Sequence, residues 1–211
     1  MNNIYHTIVI GGGCLGVASA VSLARKLNSN TNAQNVCILE KSVLAGGISS
    51  RHSGIIRSAN ASIQAATFAE EANDMWRNIQ QYWGVDIKPE KPGAIWIARN
   101  DKKESAKTWI DLEKNLKKNG INFTKISSKE IKSLTNNLIR IDEENEIYFH
   151  EPNAMLFDPI KVRNKMYSAL EINNVKLKEN TRVIDFELQP RNKIKKIRTN
   201  QGSIFAENII N

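Results

Sequence analysis

Apolar and polar positions follow two different periods along this chain, and the changes between them mark out its elements. Thr7 to Ile10 is a β-branched run, Val17 to Leu27 is rich in helix formers, and Val36 to Leu39 is apolar again and ends at Glu40. That order is strand, helix, strand. Parallel neighbours need a crossover, so the opening is predicted to be a right-handed βαβ unit, with the polar stretch 28–35 as the loop back to the sheet. Ala65, Phe68, Ala69, Ala72, Met75, Trp76, Ile79 and Tyr82 then recur at helical spacing. They predict one helix that buries an apolar stripe and stops at Gly84.

Beyond it, Ala94 to Ala98 reads as a strand, and Asp101 with Glu104 predicts a capped helix reaching about Gly120. Ser127 and Glu130 repeat that capping logic on a shorter helix. Asp158-Pro159 supplies a cap and a first-turn proline for a helix through about Leu170, with Val162, Met166 and Leu170 on one face. The last stretch changes character. Residues 183–188, 194–199 and 203–206 read as short strands of a β-meander joined by turns at 190–192 and 200–202, and 208–211 reads as a further strand entering a core. No internal repeat or low-complexity linker interrupts the chain.

Gly11, Gly13 and Gly16 form G-x-G-x-x-G between the first strand and the first helix. Here Gly11 makes the tight turn, Gly13 lets a pyrophosphate approach the backbone, and Gly16 brings helix and strand together. The amides at the helix N-terminus then face the phosphates, where the macrodipole favours negative charge. Glu40, at the end of the next strand, is placed to accept hydrogen bonds from both ribose hydroxyls of an adenosine, and it disfavours a 2′-phosphate. FAD and NAD share that ADP half, so the fingerprint alone does not choose between them. After Glu40 the chain continues as a loop, in which Gly46-Gly47 and Ser49-Ser50 are suited to lay amides and hydroxyls along an extended dinucleotide.

Composition narrows the setting. The formal charge of +8 is compatible with anionic small molecules, nucleic acid or an acidic membrane surface. Its lysines and arginines are scattered without aromatic interleaving, which predicts solvated faces and no nucleic-acid partner. No apolar run approaches the ~20 residues of a membrane-spanning helix, so no membrane span is expected. The first residues enter the first strand directly and carry no signal-peptide pattern, which predicts a cytoplasmic protein. Cys14 and Cys37 have neither metal nor redox spacing and read as packed free thiols.

The chain resembles the FAD-dependent oxidoreductases of the D-amino-acid oxidase superfamily, particularly the sarcosine oxidase, dimethylglycine dehydrogenase and glycine oxidase branch. The resemblance rests on GGGCLG, the ILE strand end with Glu40, the GGISSRHSGIIRS loop, the helix containing Trp76, PGAIWIA, a later FDP turn and the closing SIFAENIIN. It covers essentially the whole chain and is richest in motifs over the first third. Family members are longer, so it corresponds to an N-terminal portion. The remainder of the substrate sheet and a segment completing the flavin site are then expected beyond Asn211.

The resemblance implies an α/β fold: a Rossmann-like, glutathione-reductase-type FAD-binding domain from 1–84 and 151–211, with an inserted α+β substrate or cap domain over 85–150. It implies FAD as cofactor, held by Gly11, Gly13, Gly16, Glu40, Lys41, Gly47, Ser49, Ser50 and Arg51. The implied activity is oxidation of the C–N bond of a small amine or of an N-methyl or α-amino acid (sarcosine-, dimethylglycine- or glycine-like), by hydride transfer to flavin N5. The substrate would be a small anionic amine or amino acid, and an electron acceptor or partner subunit would complete the system. A 2-hydroxy-acid dehydrogenase shares the loop pattern, and a non-catalytic or NAD-binding chain shares the fingerprint. Arg57, closing the IIR of the loop, is carried over as the active-site arginine that holds the substrate carboxylate; the alternative is an arginine bridging loop and helix. No general base and no metal site are predicted. His52 reads as a loop histidine, His150 as part of a domain-boundary loop, and Trp76, Trp83, Trp96 and Trp109 as core.

Overall fold

A computed structural model of the chain describes residues 4–28, 36–60, 62–99, 103–189 and 193–211. Along the first half run β1 (Ile4–Ile10), α1 (Cys14–Asn28), β2 (Val36–Leu39), β3 (Ile55–Ile56), α2 (Ile63–Arg77), α3 (Ile79–Trp83), β4 (Ala94–Arg99) and α4 (Lys103–Lys118). The second half holds β5 (Thr124–Ile126), α5 (Ser128–Leu134), β6 (Glu146–Glu151), β7 (Met155–Leu156), α6 (Pro159–Ile172), β8 (Lys176–Lys178), β9 (Val183–Gln189), β10 (Lys193–Thr199) and β11 (Gly202–Ile210). The predicted features at 29–35, Asp101 and 190–192 lie outside the described residues.

Contacts divide the chain into two compact units. One comprises Met1–Ser53, Ile79–Ile87 and Asp158–Asn211; the other comprises Gly54–Asn78 and Lys88–Phe157. The boundaries read from the sequence, 84/85 and 150/151, draw the division elsewhere. Residues 54–78 and 151–157 pack within the second unit, and 85–87 within the first.

The first unit is built on a six-stranded sheet in the order β8-β2-β1-β11-β10-β9. β1 lies parallel to both β2 and β11, and β2 parallel to β8. Every residue of β2 is buried, which is why its sequence is continuously apolar and does not alternate. α1 buries Val17, Ala20, Val21 and Ala24 at helical spacing. α6 starts as predicted: Asp158 accepts from the amides of Ile160 and Lys161, Pro159 occupies the first turn, and Val162, Met166 and Leu170 are buried. Its C-cap Asn173 donates through Nδ2 to the carbonyls of Trp83 (2.9 Å) and Ala169 (2.7 Å), tying α3 to α6. The meander β9-β10-β11 forms, but 203–206 and 208–211 are not separate strands. β11 is continuous, pairing antiparallel with β10 and, further along, parallel with β1.

The second unit has a three-stranded antiparallel sheet in the order β4-β6-β5 and a small β3-β7 pair. Phe123 and Phe149 stack at 5.0 Å in its core, with Trp109 and Trp96 packed around them. Ser127 and Glu130 form the predicted capping box on α5. The helix predicted from Ala65 to Tyr82 is instead two helices, α2 and α3, broken at Asn78, whose backbone and side-chain N–H groups both return to the Asp74 carbonyl. Gly84 does end the second, at φ +76° with its amide on Gln80 O. The predicted buried stripe is also wrong for α2. Ala65, Phe68, Ala72 and Met75 are exposed, Phe68 by 72%, while Ala66 and Asn73 are buried. The inward face is turned toward polar partners, described below, that helical periodicity does not register.

In the first unit, burial pushes the Cys37 thiol up to about 11 and the neighbouring Tyr5 phenol up to about 12. The unfolded chain ionises both groups at lower pH, so their contribution to stability is complete below about pH 9 and is lost as pH rises through the folded values. Thermal melts from pH 8 to pH 12 are expected to show a falling Tm that is shallower in Cys37→Ala; identical slopes for the two proteins would contradict this.

Candidate functional site: a dinucleotide turn and an arginine on an indole plate

The three glycines after β1 divide their work. Gly11 has φ +102°, a conformation that L side chains rarely adopt, and its amide donates to Leu39 O at 2.9 Å, holding the turn to the end of β2. A Cβ on Gly16 would stand 2.0 Å from Gly11 O, so only a glycine lets α1 close onto the turn. Gly12, to which the fingerprint assigns no task, is buried and donates its amide to Glu40 Oε2 at 2.7 Å. Glu40 Oε1 accepts the Ser42 amide at 2.8 Å. The carboxylate therefore belongs to the turn itself, and each oxygen retains a lone pair for a further donor.

Loop 41–51 returns to the same place. The Ala45 amide donates to Gly12 O at 2.8 Å, and Ser49 Oγ accepts the Cys14 amide at 3.0 Å, in the first turn of α1. Ser50 Oγ reaches back to Gly47 O at 3.4 Å within a short 3-10 turn, Ile48–Ser50. Lys41, Gly47 and Arg51 are exposed. Gly11, Gly13, Gly16, Glu40, Ser49 and Gly47 thus come from one continuous stretch of the first unit. Glu179 was not visible as a contributor; it accepts the Leu44 amide at 2.6 Å and the Tyr167 hydroxyl at 2.7 Å, bracing this loop from beyond α6.

A dinucleotide pyrophosphate fits this turn. A Cβ built on Gly11 or Gly47 meets nothing within 4 Å, and one on Gly13 meets only Ser49 Oγ, at 3.2 Å. The space beside these backbones is open, and helix geometry leaves first-turn amides of α1 without intrahelical partners. Residues 11–16 and 47 would hold the phosphates and Glu40 the ribose. Cys14 is half-buried beside this turn, and burial raises its thiol above the ordinary value, which disfavours the reactive thiolate.

Arg57 belongs to the second unit. Its guanidinium carbon lies 4.3 Å from the Trp96 ring centroid, and its Nη1 donates to Ala59 O at 2.8 Å. The residue is exposed, with donors left for a ligand. Nearby, Glu151 is 1% exposed. Its Oε1 accepts the amides of Ser58 and Ala59, the latter at 3.2 Å, and its Oε2 accepts Trp96 Nε1–H at 3.1 Å. On the other side, Ser58 Oγ bonds Glu70 and the buried Asn73 amide, and Glu70 Oε1 accepts from Arg77 at 2.7 Å. This is the polar face of α2 noted above. Sequence reasoning missed Glu151, whose partners lie far off along the chain, and Glu70 and Asn73, whose shared partner Ser58 lies in the segment before α2.

Trp83 and Trp96 pack as predicted, but Trp96 also carries Arg57. His150 is not in a boundary loop: it lies in β6, the central strand of its sheet, opposite Ile95 and Thr124. Gly93 stands beside it, with space for a Cβ closed by His150 Nε2 at 2.8 Å. His52 is exposed, just after the 3-10 turn. Among the described residues, no group of three or more His, Cys, Asp or Glu is placed to hold a metal, and no helix is long and apolar enough to cross a membrane.

The sequence profile of the DAO family, described as FAD dependent oxidoreductase, matches residues 6–211. The sarcosine oxidase subunit beta of Arthrobacter sp. is 30% identical over 132 residues, which is 62% of this chain and 31% of that protein. The protein of the same name from Rhizobium meliloti is 28% identical over 49% of this chain and 24% of its own length. Among solved structures, L-proline dehydrogenase from P. horikoshii superposes with a TM-score of 0.85 at 23% identity, covering 99% of this chain and 52% of that one. Glycine oxidase from Geobacillus kaustophilus gives 0.80 at 19% identity, covering 99% and 55%. The chain therefore spans about half the length of these structural neighbours and less of the curated relatives.

The two inner glycines are expected to respond differently to one added methyl group. Gly16→Ala drives a Cβ into the Gly11 carbonyl and should cost about 1–3 kcal/mol of stability, the usual range for overpacking. Gly13→Ala needs only a small shift of Ser49 and should melt close to the parent. Chemical denaturation of both variants checks the order; equal losses would contradict it.

Proposed function

We propose, from the premise that this chain belongs to the DAO family of FAD dependent oxidoreductases, that it serves the oxidation of a carbon–nitrogen bond in a small amine, N-methyl amino acid or α-amino acid. The observation that carries the amino-acid reading is Arg57, an exposed guanidinium laid on an indole face. A planar fork of donors held in one orientation suits a substrate carboxylate, which it can grip bidentately. Relatives named sarcosine oxidase, glycine oxidase and L-proline dehydrogenase support the substrate class.

In this reading the first unit binds FAD. The Gly11–Gly16 turn takes the pyrophosphate through those amides that are not already donated within the protein, Glu40 takes the ribose, and Lys41, Gly47, Ser49, Ser50 and Arg51 line the path toward the flavin. The second unit contributes to the substrate side. Bound FAD would supply the oxidising power to remove hydride from the carbon beside nitrogen, and water would hydrolyse the resulting imine. The chain's own part is to hold the ADP half, to orient the carboxylate through Arg57 and to place positive charge near the reacting group. An electron acceptor or partner subunit belongs to the proposal, as does a cytoplasmic setting, which suits the two free thiols.

The purified full-length protein is expected to show a flavin absorption spectrum that bleaches anaerobically with sarcosine, dimethylglycine, glycine or proline. Bleaching by 2-hydroxyglutarate alone would replace the amine by a hydroxy acid. Gly13→Ala and Glu40→Ala should each weaken FAD. Arg57→Met should raise KM for carboxylate substrates about 10- to 100-fold, as for loss of a hydrogen bond to a charged group, with FAD affinity unchanged. Unchanged KM would remove Arg57 from the site.

A further inference from the structure

Glu151 carries three hydrogen bonds that all converge on the surroundings of one exposed arginine. One carboxylate oxygen takes the amides of the two residues that follow Arg57; the other takes the indole N–H of the ring on which Arg57 lies. A carboxylate buried to 1% exposure loses its hydration and persists only where such donors replace water. An apolar residue in its place would leave those three donors without an acceptor.

The backbone of the arginine and the plate beneath it come from separate elements, the segment after β3 and strand β4. The Glu151 carboxylate bonds both of them. We propose that Glu151 is the positioning residue of the Arg57 guanidinium: it locks the loop amides and the Trp96 ring in one frame, so that the fork above is held ready for its ligand. The Ala59 carbonyl, in the same locked loop, takes one guanidinium N–H and completes the frame. That the ligand is a substrate carboxylate rests on the reading above; that Glu151 sets the pose of Arg57 does not.

Glu151→Gln tests it, because an amide has a single acceptor oxygen and cannot receive both the loop amides and the indole N–H. Trp96→Phe is the second variant, keeping a six-membered ring under the guanidinium and removing the indole donor together with the pyrrole half of the plate. Two readouts in full-length holoenzyme separate the claims. The first is the Arg57 side-chain resonance in arginine-labelled protein, assigned by its loss in Arg57→Met and shifted by the ring current of Trp96. Glu151→Gln should abolish that shift while the flavin spectrum and FAD affinity stay as in the parent. A shift that persists overturns the proposal, whatever Arg57 binds.

The second readout is KM against kcat with the carboxylate substrate that bleaches the flavin. Glu151→Gln should raise KM about tenfold, Trp96→Phe less, and Glu151→Gln should add nothing in an Arg57→Met background. Multiplicative effects of Glu151→Gln and Arg57→Met, or a Trp96→Phe variant equal to the parent where Glu151→Gln does raise KM, would overturn it. If the resonance shift is lost in Glu151→Gln while neither variant alters KM, the positioning role stands and the substrate role of Arg57 falls. Should Glu151→Gln not fold, Trp96→Phe in the parent and in the Arg57→Met background decides by the same criteria.

Discussion

Glu40 accepts the Gly12 amide through one carboxylate oxygen and the Ser42 amide through the other, and the geometry of the first unit's site hangs on that pair of bonds. Charge-assisted hydrogen bonds of this kind are short and about twice as strong as neutral ones. Here they fasten the turn after β1 to the end of β2, so the glycine backbone cannot drift from the acid. The Gly11 amide on Leu39 O and the Gly16 approach to Gly11 O then fix α1 against the same turn. The proposed dinucleotide site needs bare amides in a rigid cradle, and this network supplies the rigidity, with the Cys14 amide of the first helical turn tied to Ser49.

The second unit solves a similar problem with a buried acid instead of bare backbone. Its core is aromatic, with Phe123, Phe149, Trp109 and Trp96 in mutual contact. Beside it a polar seam runs from the buried Glu151 through Ser58 to Asn73 and on to the half-buried Glu70 and Arg77. Buried polar groups are tolerable only when every member is satisfied, and a satisfied seam admits fewer alternative packings than an apolar one. The seam passes directly under the segment that bears Arg57, the side chain that the proposed chemistry needs held still.

Legibility from sequence followed the range of the interactions. β2, the capping box at Ser127 and the Asp158-Pro159 start of α6 were legible because each depends on residues a few positions apart. The G-x-G-x-x-G turn was legible because strand, glycines and helix are consecutive. The single helix predicted over Ala65–Tyr82 failed because periodicity counts apolar residues and cannot see that Asn73 and Glu70 have buried polar partners. His150 was misplaced because β6 carries charged and polar residues among its aromatics, so its strand pattern is weak; pairing with β4 and β5 is what makes it central.

Neighbouring residues alone specify where the chain turns on bare backbone, where an acid closes the second strand, and where α5 and α6 begin. Packing of distant segments was needed to bond Gly12 to Glu40, to brace the loop after Glu40 with Glu179, and to bring Glu151 to the edge of the Trp96 ring that carries Arg57. Those contacts join residues as far apart as 44 and 179. Local propensity carries no information about them, because they exist only once sheets and helices have packed and water has been excluded from the carboxylates that hold them.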